Sequence, residues 1–505
     1  MDKKDPFKWG CNWLFYYLEE QLRVIEQLIE KKDLRKYHLI KLLEMDPFLS
    51  KSKSFIKDEF KLSEYLLRVT IDRLQEDCCE FGITEEFKIT EDDSIISIEE
   101  LGGVTSNFFL KKYLQKSIGV KMLLQILMGK FDSAPEFAST HFTSNSIVYK
   151  WLDKVQESLK PLDLELVKKK GSYSIAGNER TVRLLGVNLL HRTDLAGSLF
   201  SEQMLIRATH IVDIIERNYK PMRPSHKNRI INYVLIALSS DKSTRKLSRR
   251  IKEKLMKSET FKELKQLLLA NGIKKLCQEN ELNEFIGILI LNEALPEQAA
   301  EELVNEEIQS DLIELFIEKL FQSFPQIYTS SLKKEITNRM ARIHFNAIFS
   351  GKVLLFENIF DLSYFQENYQ VVFDFCRSFI ATQKKAKNLF VQVHAVYLYY
   401  HYLLMLVNCL SPEMLQSAIN ITIDFSFGEE YNLFIKRSIK NICSHLNLDF
   451  QPTLMKNTDV LLTDSNNLDN SKLNSTLVIY WLEPPRAIDW FNFVNILIKK
   501  RRSFD

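Results

Sequence analysis

Two segments of the chain carry the same set of hydrogen-bonding side chains at the same spacing. Ser144 to Leu159 reads SNSIVYKWLDKVQESL, and 81 positions earlier Ser63 to Cys78 reads SEYLLRVTIDRLQEDC. Each opens with a helix-capping serine and closes on one polar signature, Asp72-Arg73-Leu74-Gln75-Glu76 against Asp153-Lys154-Val155-Gln156-Glu157. In the second copy Val148, Trp151, Leu152, Val155 and Leu159 form the inner stripe of a helix. Ser144, Asn145, Ser146, Tyr149, Lys150 and Lys154 then face outward. Asparagine bonds adenine edges, lysine reaches guanine or phosphate, and serine or tyrosine holds the sugar-phosphate backbone. In the first copy Leu67, Ile71 and Leu74 point inward, and Glu64, Tyr65, Arg68, Thr70 and Arg73 form the outer set. Arg68 is the guanine reader there, because a guanidinium bonds O6 and N7 together. The alternative for both faces is an ordinary solvated surface.

Such side chains work only on a short helix that follows a turn, apolar behind and polar in front. Around the second copy the pattern is complete. Phe108 to Met128 reads as one helix, apolar at 110, 113, 114, 118, 122 and 126. Ser133-Ala134-Pro135-Glu136 starts another. Leu164, Leu166, Tyr173 and Ile175 alternate around Lys168-Lys169-Lys170-Gly171, which predicts two strands joined by a basic turn. Those three lysines supply charge to phosphates rather than base contacts. Helices followed by a hairpin make a winged helix. Around the first copy, Tyr16 to Lys32 is helical, Asp46 to Ser54 is loop-like, and Phe81 to Glu100 suggests strands and turns. Gly102-Gly103 marks a hinge between the two.

A chain of 505 residues is too long for one core and divides into about three to five domains. Glycine and proline total only 26 residues, which favours a mainly α, multidomain protein. The net charge of +2 leaves any nucleic-acid face to a local basic patch. The basic run Asp241 to Lys257 reads as a helix exterior, with a phosphohistidine-receiving or second DNA-facing surface as alternatives. Seven scattered cysteines without C-x-x-C spacing fit reduced thiols in a cytoplasm. The start, MDKKDPFKWG, has no apolar core of a secretory signal. No charged residue occurs from Leu389 to Pro412, but tyrosines cluster mid-segment, so a buried helix is expected rather than a membrane span. Nine histidines form no metal-binding or catalytic motif, and no nucleophile, base and oxyanion donors assemble. Neither an enzyme nor a cofactor is expected.

Gly177-Asn178-Glu179-Arg180-Thr181-Val182-Arg183, just past the wing, resembles the G-x-E-x-x-[IV]-R passage of Mga/AtxA-type regulators of Gram-positive bacteria. The order of parts is similar to that family over essentially the whole chain. The resemblance implies an N-terminal helix-turn-helix domain (1–101), a winged helix-turn-helix (104–180), two phosphotransferase-system regulatory domains (181–290 and 291–400) and an EIIB-like domain (401–505). Ser225 to Asn232 and Ser331 to Asn338 share four of eight residues, which fits a duplicated middle. In such domains histidines accept phosphate. That implication falls on His226, near Lys227 and Arg229, and on His394, with His191, His210, His344 and His401 as alternatives.

At the C-terminus Ile419, Ile421 and Ile423 alternate with polar residues. A helix bearing Tyr431, Phe434, Ile435, Ile439 and Ile442 follows. Val460–Thr463 and Val478–Trp481 read as strands, and Ala487–Lys500 as a closing helix. This βαββα run resembles EIIB, yet Ser426-Phe427-Gly428 stands where a phosphoryl-accepting cysteine would. Subunit contact, through Phe491, Val494 and Ile498 among others, is the expected role. The whole implies a cytoplasmic dimer that binds double-stranded DNA, activates transcription and meets phosphotransferase carrier proteins, with no membrane partner. An RNA-binding antiterminator and a helical interaction scaffold are the competing readings.

Overall fold

The structure is a computed structural model and describes residues 26–46, 48–100, 103–169, 172–239, 258–296, 310–356, 363–415, 417–465, 476–481 and 484–502. The predicted helix Tyr16–Lys32 falls mostly outside these residues. So do Lys170, Gly171, Gly102 and the whole of the basic run 241–257. The chain forms two compact units, residues 1–306 with 348–358 and residues 307–347 with 359–505.

In the first unit, α1 (Lys31–Glu44) buries Tyr37, Leu39, Ile40 and Leu43. Strand β1 (Ser50–Ser52) and α2 (Lys53–Phe60) follow at once, so most of the expected loop 46–54 is ordered secondary structure. Ser52 caps α2 by accepting from the amide of Phe55. Ser63 caps α3 (Glu64–Phe81) in the same way, and left-handed Gly82 ends it. Strands β2 (Phe87–Glu91) and β3 (Ile95–Glu100) complete an antiparallel sheet of order β1-β3-β2, with Ile89 opposite Ile98. The first copy is therefore a winged helix of its own.

The stretch 108–128 is two helices, α4 (Ser106–Lys116) and α5 (Ile118–Leu127). Ser117 breaks them: its backbone is extended, and its hydroxyl accepts from the amide of Val120. The same hydroxyl donates to the carbonyl of Leu28, which locks the corner. Apolar spacing runs on through the corner and disguises it. Ser133 then caps α6 (Ala134–Thr140), Ser144 caps α7 (Asn145–Leu159), and β4 (Glu165–Lys169) pairs antiparallel with β5 (Ser172–Ala176).

The two winged helices are joined through packed interior. Lys36 of α1, 4% exposed, pairs with Asp33 at 2.8 Å and with Asp77 of α3. Asp77 also accepts from the Tyr113 hydroxyl of α4 at 2.8 Å. Burial, then the nearby Asp77 charge, pushes the Tyr113 hydroxyl far above its usual range, so it stays a donor. The backbone of Ser106 donates to Glu44. The contacts tie both sides of the glycine pair together.

Helix α8 (Glu179–Thr193) packs on α4 and α5 and on α10 (Pro224–Ser239), which α9 (Glu202–Asn218) flanks. Beyond these lie α11 (Glu259–Ala270) and α12 (Glu279–Leu291). In the second unit α13 (Ser310–Ser323) and α14 (Ser330–Ser350) precede α15 (Gln370–Lys385) and α16 (Leu389–Cys409), which pack closely together; the last turn of α14 lies in the first unit. Both repeat-like segments, 225–232 and 331–338, open helices. Among the described residues α16 alone is long and apolar enough to cross a membrane. Its Tyr399, Tyr400 and Tyr402 are buried in this unit, as the sequence led us to expect, and a kink falls at His394.

The C-terminal sheet is parallel throughout, in the order β7-β6-β8-β9: β6 (Ile419–Asp424), β7 (Leu448–Gln451), β8 (Val460–Thr463) and β9 (Leu477–Tyr480). Strand β7 was not legible in the sequence. Ile435 and Ile439 of α17 (Glu429–Ile442) and Phe493 and Leu497 of α18 (Ala487–Arg502) fill the core. Phe434 and Ile442, grouped with Ile435 and Ile439 on one side of the helix by the sequence, are 55% and 43% exposed.

Candidate nucleic-acid interface

The second recognition helix is built from its buried side outward. Val148, Trp151, Leu152, Val155 and Leu159 are all buried, as the spacing required. Trp151 lies directly on Gly119 of α5, where an added Cβ would come within 2.6 Å of the indole. The glycine therefore sets how closely α7 sits on the domain. Ser144, Asn145, Ser146, Tyr149 and Lys150 are exposed. The Ser144 hydroxyl accepts from the amide of Ile147, so it is committed to the cap, and lies 2.9 Å from the Ser146 hydroxyl.

Lys154 departs from the expected arrangement. It is half-buried, with its ammonium 3.9 Å from the centre of the Trp151 ring. Burial, then the charges of Lys150 and Lys31, lowers its pKa. A cation stacked on an indole holds its position better than a free lysine. The wing pairs Lys168 with Tyr173 across its strands, the ammonium 5.5 Å from the ring centre. Lys168 is exposed and Lys169 pairs with Ser172.

On the first recognition helix Glu64, Tyr65, Arg68 and Arg73 are exposed. Glu64 is paired with Lys57 at 2.6 Å, and that hydrogen bond lowers the pKa of its carboxyl. Thr70 is a correction. It is 3% exposed and donates to the carbonyl of Leu66, so it cannot reach a ligand.

Past the wing, Asn178 caps α8 by accepting from the amides of Arg180 and Thr181. Arg180 then donates twice to Glu284, at 2.7 and 2.6 Å, and its guanidinium lies over the Phe349 ring at 4.5 Å. Arg183 donates to Glu179 and to both oxygens of Glu281. The motif that carried the family resemblance is thus a clamp between α8 and α12.

His226 is half-buried on the first turn of α10. Its Nδ1–H donates to the carbonyl of Asn292 at 2.9 Å, which leaves Nε2 as the basic nitrogen. Lys227, expected to be at hand for a phosphoryl group, is held by Asp213 and Glu216 at 2.7 and 2.5 Å. Arg229 is differently placed. Its Nε is buried without a hydrogen-bond partner among the described residues, beside a cavity of about 20 Å³ lined with Asn188, Asn292 and Ser350. His394 belongs to the other unit, packs against Phe390 and is neutral, burial holding its pKa down to about 4. Among the described residues no group of three or more His, Cys, Asp or Glu is placed to hold a metal ion.

In the C-terminal domain Ser426 sits at the end of β6, and Asp464 just beyond β8. These neighbouring strands lie where the order of connection reverses, the usual ligand crevice of a parallel sheet. Asp464 accepts from the amide of Ser426 at 3.0 Å and also from its hydroxyl. Those bonds lower the Asp464 pKa, so a fixed negative charge occupies the crevice.

Two winged helices with capped, solvent-facing recognition helices make this a nucleic-acid-binding class of fold. Residues 103–190 match the family described as Mga helix-turn-helix domain, which supports an Mga-type regulator and places a domain of DNA-binding transcriptional regulators at these positions. Among curated proteins none matches the chain.

Proposed function

We propose that the chain is a non-enzymatic transcriptional activator that binds duplex DNA through its tandem winged helices. The observation that carries this reading is the face of α7. Asn145, Ser146, Tyr149 and Lys150 stand exposed on a capped helix within the matched domain, and Lys154 is braced on Trp151 beside them. Arg68 and Arg73 offer a second, weaker face. A gel-shift titration at several salt concentrations tests it. Each phosphate contact contributes about 0.9 to the slope of log affinity against log salt. A slope near zero, or no binding at low salt, rejects the reading in favour of a protein-binding scaffold.

Dimerisation through the C-terminal domain is the second part of the proposal. Strand β9 is an edge of its sheet, and Leu477, Tyr480, Ile488 and Phe491 are all more than a third exposed. Val494, expected on that surface, instead packs on the core. The carboxylate of Asp464 disfavours a phosphoryl group in the crevice, which supports a contact role for the domain.

The third part is control by histidine phosphorylation. At His226 the cation with unused hydrogen-bonding capacity is Arg229 rather than Lys227. At His394 two added negative charges would enter a half-buried site against Phe390 and loosen it. Mass spectrometry under phosphate-preserving conditions, after incubation with the phosphotransferase carrier proteins, is the test. No phosphohistidine at either position removes this part and leaves DNA binding standing.

A further inference from the structure

The turns of the two helix-turn-helix units correspond position for position, with the amide of Leu62 bonding the carbonyl of Lys57 in one and the amide of Thr143 that of Ala138 in the other. Counting back from the capping serines, Lys61 precedes Ser63 by the same two positions by which Phe142 precedes Ser144. Both residues are left-handed, with φ of 52° and 50°. Both are exposed, Phe142 to 98%. A left-handed backbone is costly for a bulky side chain, and asparagine or glycine fits it better. A lone exposed apolar residue is ordinary on a protein surface. What sets Phe142 apart is its place: the position that offers a cation in one copy offers a bare aromatic ring in the other. Among the described residues no ring or cation stacks on it.

We infer that the two turns contact DNA by different chemistry, Lys61 through a phosphate and Phe142 through the methyl group of a thymine beside the recognition helix. This rests on the DNA-binding reading above. At the start of α7, Tyr149 and Ile147 are further apolar side chains left open, 47% and 42% exposed. Apolar contact with the thymine methyl is a recognised mode of base reading, and it releases no counterion. A lysine contact does release one. The two turns therefore leave different signatures in salt and in sequence.

The test uses the full chain and duplexes that the wild type selects from a random pool. Each thymine in a selected duplex is then replaced by uracil, which removes only the methyl. One replacement should weaken wild-type binding about fourfold, the worth of one buried methyl. Phe142→Ala and Phe142→Asn should weaken binding about tenfold at every salt concentration, leave the slope unchanged and abolish the uracil penalty at that position. Asn suits the left-handed backbone, so its folding is secure. Lys61→Ala should lower the slope by about one. Unchanged affinity of both Phe142 variants, or the same uracil profile as wild type, overturns the inference alone. Failure of the wild type to select any duplex overturns the DNA-binding reading along with it.

Discussion

Arg183, the second guanidinium past the wing, donates to both carboxylate oxygens of Glu281, at 2.6 and 3.1 Å, with each residue no more than 3% exposed. One turn earlier Arg180 repeats the pairing with Glu284. Removing one partner of a buried pair strands the other charge and costs about 3–5 kcal/mol. Glu281→Ala should therefore lower the stability of the first unit by that amount in chemical denaturation. Replacing both, Arg183→Met with Glu281→Leu, should recover most of it. A Glu281→Ala protein as stable as wild type would mean that the pair is solvated in solution.

Gly119→Ala should act on the recognition helix from beneath. Its methyl would meet the Trp151 ring at 2.6 Å, so the indole must move and α7 with it. Overpacking of this kind costs about 1–3 kcal/mol. Tryptophan fluorescence should shift and DNA affinity fall together. A loss of stability with unchanged affinity would show that α7 does not depend on that contact.

Lys150, Lys154 and Lys168 should separate in mutation. Lys150→Ala and Lys168→Ala remove exposed charges and should weaken DNA binding, with melting temperature unchanged for Lys150 and little changed for Lys168, whose ring contact is the longer one. The loss of Lys168 should lower the salt slope by about one with sequence preference intact. Lys154→Ala also loses the stacking on Trp151, worth about 0.5–1 kcal/mol, so melting and affinity should both fall. Equal melting temperatures for all three proteins would remove the structural part of Lys154's role.

Acid should destabilise the second unit through His394 and His401, both held by burial at a pKa of about 4. Their folded pKa lies below the unfolded value of about 6.5. The contribution is thus complete above pH 6.5 and lost as pH falls toward 4, where the unfolded chain binds protons more readily. Thermal melts between pH 7 and 4.5 should show the decline. His394→Gln and His401→Gln should each flatten it, and an unaltered profile in both would place the acid response elsewhere.

The proposed dimer should separate when charge enters its surface. Ile488→Asp with Phe491→Asp, at side chains 55% and 58% exposed, should give monomers by light scattering without loss of fold. A variant that stays dimeric moves the interface to another part of the chain.

The recognition helices were legible because capping serine, apolar stripe and polar face are all local properties. Their buried and exposed sides fell where the spacing put them, apart from Thr70, which bonds its own helix, and Lys154, which a tryptophan three residues away draws in. The break at Ser117 was hidden because the apolar spacing of α4 runs on into α5. The serine's second bond goes to Leu28, far back in the chain. Strand β7 is only four residues long, and the alternation in LDFQ is too short to stand out from its surroundings. The Arg–Glu clamp lies beyond any local pattern, since its halves are 98 positions apart. Aligning the two copies from their serines would have brought Lys61 and Phe142 forward. Nothing in the sequence tells that the ring stands in solvent.

The buried meeting of Lys36, Asp77 and Tyr113 turns the two winged helices into a ruler. With α1 packed against α4 across the glycine pair, these contacts hold the two proposed DNA-facing helices at one spacing. One base pair added between the two contacts rotates one of them about a tenth of a turn around the duplex. If both units bind DNA as proposed, a site that drifts in spacing by a single insertion should lose affinity even with every contacted base preserved.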